Sequence, residues 1–248
     1  MKKMLLHKLN SKLVLEEVNK PNCDKSEILV KILFTGINFA DSLLIQGKYQ
    51  EKPLLPFSPG MEMSGIIAEL GKDVDGFKLG QRVIVFANNG GLAEYISVDP
   101  KRVVHIPDKM TLEDAACFVI AYATSFMALN YRAKLKKGER LLVSGAGGGV
   151  GNSAVQIGKI LGAYVVALTS GKEKSKLAQK SGADLIIDIS KTTFKKNIQN
   201  LKKFDVIYDT VGGKFLREAI SFANTEARVL PIGFASGEIP NIPANIYM

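Results

Sequence analysis

Up to about residue 109 the chain alternates short apolar, β-branched runs with breaks that carry Gly and Pro. The pattern predicts strands over Ile28–Ile37, Met63–Leu70, Arg82–Ala87, Tyr95–Val98 and Val103–Ile106, with one helix, Phe39–Gln46, among them. Runs of this length and spacing predict an antiparallel, barrel-like domain with functional loops. After Pro107 the rhythm changes to strand, helix, strand, helix. Each strand there is a nearly unbroken apolar run, as expected where helices cover both faces of a parallel sheet. Strands are predicted over Arg140–Ser144, Tyr164–Leu168, Leu185–Asp188, Asp205–Asp209 and Arg228–Ile232, and helices over Val150–Leu161, Lys172–Lys180, Phe194–Leu201 and Gly213–Phe222. The change of period divides the chain into residues 1–110 and 111–248. The uncharged stretch Ala115–Leu129 falls short of the ~20 apolar residues of a membrane span and reads as a pair of buried helices.

One turn in the second half carries chemistry. The strand Glu139–Ser144 runs directly into Gly145-Ala146-Gly147-Gly148-Gly149-Val150-Gly151, and helical spacing follows. Glycine at such a turn permits positive φ and lets the backbone approach a pyrophosphate, while the helix that follows offers unpaired N–H groups and a positive dipole end. In the G-x-G-x-x-G register the three positions fall on Ala146, Gly148 and Gly151. Together with Gly149 and Val150 these are the candidate pyrophosphate-binding residues. A mononucleotide P-loop does not fit, because Gly151 is followed by Asn152 where that loop needs lysine.

The tip of the second strand selects between nicotinamide cofactors. An enzyme specific for NAD places a carboxylate there for the ribose 2′-hydroxyl. This chain reads Ala167-Leu168-Thr169-Ser170-Gly171-Lys172-Glu173-Lys174. Ser170 can donate to a 2′-phosphate and Lys172 or Lys174 can neutralise it, which favours NADPH. Glu173 keeps NADH as the alternative.

Composition narrows the partners. The 248 residues are 46% hydrophobic, contain two cysteines and carry a formal net charge of +9. Cys23 and Cys117 lie too far apart in sequence for a zinc ribbon or a disulfide scaffold, and His7 and Lys8 interrupt the apolar start before an export signal could form. A cytoplasmic protein is expected. The lysines are dispersed or sit on helix faces without interleaved aromatics, so the positive charge reads as solvation and as a welcome for a phosphorylated cofactor, with nucleic acid disfavoured. No membrane partner is expected.

Taken in order, the motifs become specific. Gly36-Ile37-Asn38-Phe39-Ala40-Asp41, Gly47-Lys48-Tyr49, Leu55-Pro56-Phe57-Ser58-Pro59-Gly60-Met61-Glu62, Gly80-Gln81-Arg82-Val83 and Gly91-Leu92-Ala93-Glu94-Tyr95 precede Gly145–Gly151. Tyr208-Asp209-Thr210-Val211-Gly212-Gly213 and Ile232-Gly233-Phe234-Ala235-Ser236-Gly237 come after it. The whole chain thereby resembles the zinc-independent NADPH:quinone oxidoreductases, the zeta-crystallin-like branch of the medium-chain dehydrogenase/reductase superfamily. The resemblance implies an α/β protein with a GroES-like N-terminal domain and a doubly wound Rossmann domain, with the nicotinamide in the cleft between them. It implies that Asn38 and Tyr49 line the nicotinamide end of the cleft as catalytic residues, and that Gly233 and Phe234 cover the ring.

Where zinc-dependent relatives place cysteine, histidine and cysteine around a catalytic metal, this chain has Asn38, Met61 and Ile120, none of them a usable zinc ligand. A metal-free site suits small-molecule acceptors that spread the incoming charge over a conjugated system, a quinone or an α,β-unsaturated carbonyl, with Tyr49 or Asn38 as donors to the carbonyl oxygen. Reduction of an enone or enoyl thioester is the alternative activity, and a cofactor- or nucleic-acid-binding module without turnover is the alternative outside catalysis. Family chains continue past this one for several further elements, among them a sixth strand of this sheet and an edge strand through which they commonly form homodimers. The 3-2-1-4-5-6 sheet is therefore expected to lack its last strand here and to leave Arg228–Ile232 as an apolar edge.

Overall fold

The computed structural model describes residues 1–190, 194–198 and 201–242, without the side chains of residues 195 and 197. The chain divides into two compact units, Met1–Ile120 and Ala121–Met248. The first is built on a five-stranded antiparallel sheet of β3 (Ile28–Gly36), β4 (Glu62–Leu70), β5 (Arg82–Phe86), β6 (Tyr95–Val98) and β7 (Val103–His105), in the order β6-β3-β4-β5-β7. Ile28, Val30, Met63, Ile67, Val83 and Val85 fill its core. A two-stranded ribbon, β1 (Lys2–Leu5) with β2 (Val14–Glu17), joins it through bridges from Lys3 to Ala93 and from Leu6 to Phe57. The ribbon escapes sequence reasoning because four-residue strands rich in Lys and Glu show no alternation to read.

Helix α1 (Phe39–Ile45) follows β3, and α2 (Leu112–Ala116) closes the first unit. Although Leu112–Ala116 lies beyond residue 110, it belongs with the first sheet: Ala115 and Leu112 pack with Ile84 and Ile106, and Ser64 Oγ donates to the Leu112 carbonyl at 2.6 Å. The expected buried helix pair takes a different form. Two π-helical turns, Val119–Ala123 and Met127–Arg132, flank a short α3 (Thr124–Phe126). Ala128 and Leu129 face the core, whereas Phe118, Phe126, Met127 and Tyr131 are exposed, so an uncharged run has concealed a helix with only one buried face.

The second unit is a parallel sheet of β8 (Arg140–Val143), β9 (Tyr164–Thr169), β10 (Leu185–Asp188), β11 (Phe204–Asp209) and β12 (Ala223–Pro231), in the order β10-β9-β8-β11-β12. This is the expected 3-2-1-4-5 arrangement, with α4 (Gly149–Ile160), α5 (Lys172–Lys180), α6 (Phe194–Ile198) and α7 (Gly213–Ile220) between the strands. The helix expected over Phe194–Leu201 includes residues 199 and 200, which lie outside the described residues, as do the last six of the tail Asn241–Met248. Neighbouring strand residues serve opposite faces: Leu141, Val143 and Val206 enter one helix-covered core, and Leu142, Val166 and Ile207 enter the other. This two-sided burial is why the strands read as unbroken apolar runs. Among the described residues β12 pairs with β11 alone and forms the edge of the sheet. Its Val229 and Leu230 are partly covered, one by each core, so the open feature is the row of backbone groups rather than an apolar face.

Arg228 of β12 reaches across to Glu139, just ahead of β8, in a fork of two bonds at 3.0 and 2.5 Å. Burial alone would raise the Glu139 carboxyl, but Arg228 and the Lys136 N–H, 2.8 Å away, overcome it and hold the group below the usual carboxylate range. A depressed folded pKa contributes stability above the unfolded value near 4.5 that is lost as pH falls through the folded one. Glu139→Gln should therefore cost about 1–2 kcal/mol in urea unfolding at neutral pH and progressively less toward about pH 3.

Candidate active site

Four loops meet at the C-terminal ends of the parallel strands of the second unit, around the point between β8 and β11 where the strand order reverses. After Val143 the chain turns sharply. Ser144 Oγ donates to Asp209 and accepts the Thr210 N–H at 2.9 Å; Gly145 takes φ +61°; and the Ala146 N–H donates to the Leu168 carbonyl at 2.9 Å. The left-handed conformation thus falls on Gly145, one residue ahead of the first position of the sequence register. Alanine is accommodated at 146 because that residue is a fully buried packing position with its amide already paired.

Gly148 caps α4 in an extended conformation with no side chain to satisfy the helix end. The Asn152 N–H bonds the Gly148 carbonyl at 2.7 Å, so the amides of Gly149, Val150 and Gly151 have no acceptor within the helix. Gly148 and Gly149 are exposed, and a Cβ added at Gly149 would meet nothing within 4 Å. At Gly151 a Cβ would lie 2.2 Å from the Gly145 carbonyl oxygen, so glycine is required there for the turn to close on the helix. Three amides with no partner among the described residues, on an open helix N-terminus, suit a diphosphate.

The tip of β9 flanks this turn. The stem of Lys174 lies against Gly147, where an added Cβ would stand 2.4 Å from the lysine Cβ. Ser170 is exposed at the strand end. The nearby carboxylates are engaged: Asp188 accepts the Gly171 and Ser190 N–H groups at 2.9 Å each, and Glu173 pairs with Lys176 at 3.2 Å on the outer surface of α5. On the other flank the loops after β11 and β12 interlock through Ile232 N–H to Asp209 O at 2.7 Å and Ala235 N–H to Thr210 O at 3.1 Å. This places Gly233 beside Thr210 and Phe234 against Gly212. The structure therefore brings together Gly148–Gly151, Lys174, Ser170, Gly233 and Phe234 along one sheet edge. Asp209, overlooked in the sequence, is the carboxylate beneath them; a fully buried acid ending the run Val206-Ile207-Tyr208-Asp209 was the available signal.

Asn38 and Tyr49 belong to the first unit. Asn38 is the N-cap of α1. Asp41, on the first turn of that helix, accepts the Asn38 N–H and the Gly60 N–H at 2.9 Å each. The Asn38 amide donates through Nδ2 to Glu62 Oε1 at 2.8 Å, and the other oxygen of Glu62 accepts the Ile120 N–H at 2.9 Å. Glu62 is 2% exposed, and burial raises its pKa despite the opposing hydrogen bonds from Asn38 and Ile120. Sequence reasoning passed over Glu62 and Asp41, although an acid inside the buried stretch Gly60–Ser64 marks one of them. Tyr49 packs half-buried against Leu6, Leu44, Phe57 and Met61, and its hydroxyl has no hydrogen-bond partner among the described residues. Met61 and Ile120 lie in that same apolar cluster. Among the described residues no group of three or more His, Cys, Asp or Glu side chains could hold a metal ion, and no helix is long and apolar enough to cross a membrane.

Residues 24–108 match the family described as the alcohol dehydrogenase GroES-like domain, and residues 149–248 match the zinc-binding dehydrogenase family. Quinone oxidoreductase-like protein 2 of Bos taurus is 39% identical over 248 residues, which cover 98% of this chain and 71% of that protein. Escherichia coli quinone oxidoreductase complexed with NADPH superposes with a TM-score of 0.92 at 26% identity, covering 99% of this chain and 77% of the other. The quinone oxidoreductase of Thermus thermophilus, solved alone and in complex with NADPH, gives 0.84 at 28%, covering 98% and 76%.

Two substitutions separate close packing from open approach at the turn. Gly151→Ala should destabilise the chain by about 1–3 kcal/mol, because the methyl has nowhere to go, whereas Gly149→Ala should leave thermal stability unchanged or slightly raised. Glu62 gives a pH signature. A raised folded pKa contributes stability below the unfolded value near 4.5 that is lost as pH rises through the folded one. The stability of Glu62→Gln relative to the native chain should accordingly improve between about pH 4 and pH 7, and a flat difference would show a solvated carboxylate.

Proposed function

Because the chain belongs to the quinone oxidoreductase branch of the medium-chain dehydrogenase/reductase superfamily, we propose that it is a zinc-independent oxidoreductase that uses NADPH to reduce a quinone or a similar conjugated carbonyl. The observation that carries the choice of cofactor is the stem of Lys174 against Gly147. It sets a cation beside a bare helix N-terminus, at a strand tip with no carboxylate of its own. A diphosphate binds the amides of Gly149, Val150 and Gly151, and Ser170 and Lys174 receive the 2′-phosphate. Glu173, the one feature favouring NADH, is turned to Lys176.

The nicotinamide supplies the hydride. The chain positions and shields: Gly233 lets its backbone approach the ring, and the exposed face of Phe234 covers it. Asn38, Met61 and Ile120 leave the family's metal positions without a ligand set, so charge arriving on the acceptor has to be delocalised by the acceptor itself. Tyr49 donates its unpaired hydroxyl to the acceptor's carbonyl oxygen. The names of the similar proteins and the NADPH in the two structures above support this reading.

Steady-state oxidation of NADPH against a panel of quinones, enals and enoyl thioesters tests it, with turnover expected to be fastest on a quinone. Failure of the folded chain to bind either reduced nicotinamide in a calorimetric titration would remove the enzymatic assignment. Lys174→Ala should raise KM for NADPH about tenfold or more while leaving that for NADH nearly unchanged, since a charge-assisted bond to phosphate is worth about 1.5–3 kcal/mol.

A further inference from the structure

The Glu62 carboxylate sits where nothing in the reaction requires a charge, and it is nearly closed off from water. A Cβ on Gly36 would fall 2.8 Å from Glu62 Oε1 and 2.4 Å from the Ala116 carbonyl, so the backbone of β3 and α2 walls it in. Its oxygens accept from two kinds of donor: Oε2 takes the backbone Ile120 N–H, with the Val119 N–H also bonded to the carboxylate, and Oε1 takes the side-chain Nδ2 of Asn38. The first donor is backbone and cannot reverse. The second is a primary amide, whose two ends differ only in hydrogen-bonding sense and can exchange by a half-turn of the side chain.

From this pairing we infer that Glu62 is a positioning residue that fixes which end of the Asn38 amide faces away from it, so that the far edge of Asn38 presents its oxygen. The inference rests on the proposed function, with Asn38 at the nicotinamide end of the site, and it makes Asn38 an acceptor in place of the donor role expected from the sequence. It also divides the labour of the site. One N–H of Asn38 is tied to Glu62 and its oxygen is turned outward, so Asn38 offers an acceptor toward a donor group of cofactor or substrate, and Tyr49 remains the donor to the carbonyl oxygen. Only a carboxylate can hold this arrangement. A glutamine at 62 satisfies the Ile120 N–H with its oxygen only by turning its NH2 toward Asn38. The amide of Asn38 then rotates to accept, and its far edge changes from oxygen to NH2. Asp41 is the other acid of this cluster. Its carboxylate holds the backbone of Asn38 and Gly60, and its own N–H closes a capping box on the Asn38 side chain, which asks for the same sense of the amide, nitrogen toward Glu62 and oxygen away, that Glu62 sets.

The test has two independent arms. In the first, which needs neither cofactor nor turnover, NMR follows the Asn38 side-chain NH2 in the full chain. One proton should exchange slowly in the native protein and both should exchange rapidly in Glu62→Gln; identical exchange in the two overturns the assignment of sense. The second arm is a kinetic cycle. Glu62→Gln should lower kcat about tenfold or more with the Kd for NADPH, read by fluorescence, within about twofold of native, and in an Asn38→Ala background it should lower kcat no further. Equal losses in both backgrounds would make Glu62 a structural residue only and overturn its positioning role. If Glu62→Gln does not fold, the exchanged pair Asn38→Asp/Glu62→Gln reads the same relation, because it keeps one carboxylate facing one amide and returns an oxygen to the far edge. That pair should turn over faster than Asn38→Ala, and a folded pair that does not overturns the inference. A native chain that binds no NADPH would instead defeat the proposed function, while the NMR arm would still decide the orientation of Asn38.

Discussion

Where β8 and β11 part, two adjacent parallel strands stop bonding to each other, and the backbone that follows must find partners away from water. Asp209 supplies them. One oxygen of its buried carboxylate accepts from Ser144 Oγ and from the Val211 N–H at 3.0 Å, and the other accepts the Gly212 N–H at 2.9 Å. Ser144 in turn accepts the Thr210 N–H, and Thr210 Oγ1 donates to the Ser144 carbonyl at 3.0 Å. The turn after β8 and the loop after β11 are thereby fastened to one group, and with Thr210 drawn in 2.2 Å from where a Cβ would stand, only glycine fits the left-handed position at 145. The open helix N-terminus at Gly148 and the docking of Gly233 and Phe234 follow from that fastening. A carboxylate is well suited to the task, since it accepts several donors at once in fixed directions.

The first unit solves a similar problem with similar means. A β-strand must hand over to a short helix at Asn38, and a Pro- and Gly-rich segment must run beneath it, leaving N–H groups that no ladder can satisfy. Asp41 takes two of them, and Glu62 does the same for the Ile120 N–H beyond α2. In both units the acids are paired mainly with backbone amides and neutral side chains rather than with arginine or lysine. Burial therefore raises Glu62, whereas Glu139, which does have an arginine, is pulled down. A second buried network, Ser125 with Ser153 and Tyr208 at 2.8 Å each, works without any acid, and there burial pushes the Tyr208 phenol up to about 12, so it stays a neutral donor or acceptor throughout the useful pH range.

These anchors explain what the sequence disclosed and what it withheld. The parallel sheet was legible because two-sided burial leaves a local trace, a run such as Arg140–Val143 that needs no knowledge of its neighbours. The phosphate turn was legible because glycine spacing is the direct consequence of backbone approach. Lys174 could be picked out as a charge near a strand tip, although its contact with Gly147 depends on where α5 lies against the turn. The ribbon of β1 and β2, the one-sided burial of the stretch after Cys117 and the displacement of the left-handed residue from 146 to 145 were not legible. Each is set by a partner distant in sequence: Ala93 and Phe57 for the ribbon, the core under Leu129 for the helix, and Leu168 for the Ala146 amide. Acids such as Asp209 and Glu62 are ordinary letters in the sequence, and only burial makes them exceptional.

The placement of Asp209 also bears on the sign of the site. A bare carboxylate beneath a phosphate-binding turn would repel the ligand, and in a poorly solvated interior that repulsion would be large. Here the carboxylate accepts from three donors whose dipoles point at it, which dissipates much of its field before it reaches the turn. On the outer side, the unpaired amides of Gly149, Val150 and Gly151, the positive end of α4 and Lys174 all act in the opposite sense. Positive potential at this edge is therefore produced by the geometry of one turn and one flanking side chain. The dispersed lysines responsible for the chain's net charge of +9 are not needed for it and mainly solvate the helix faces on which they sit.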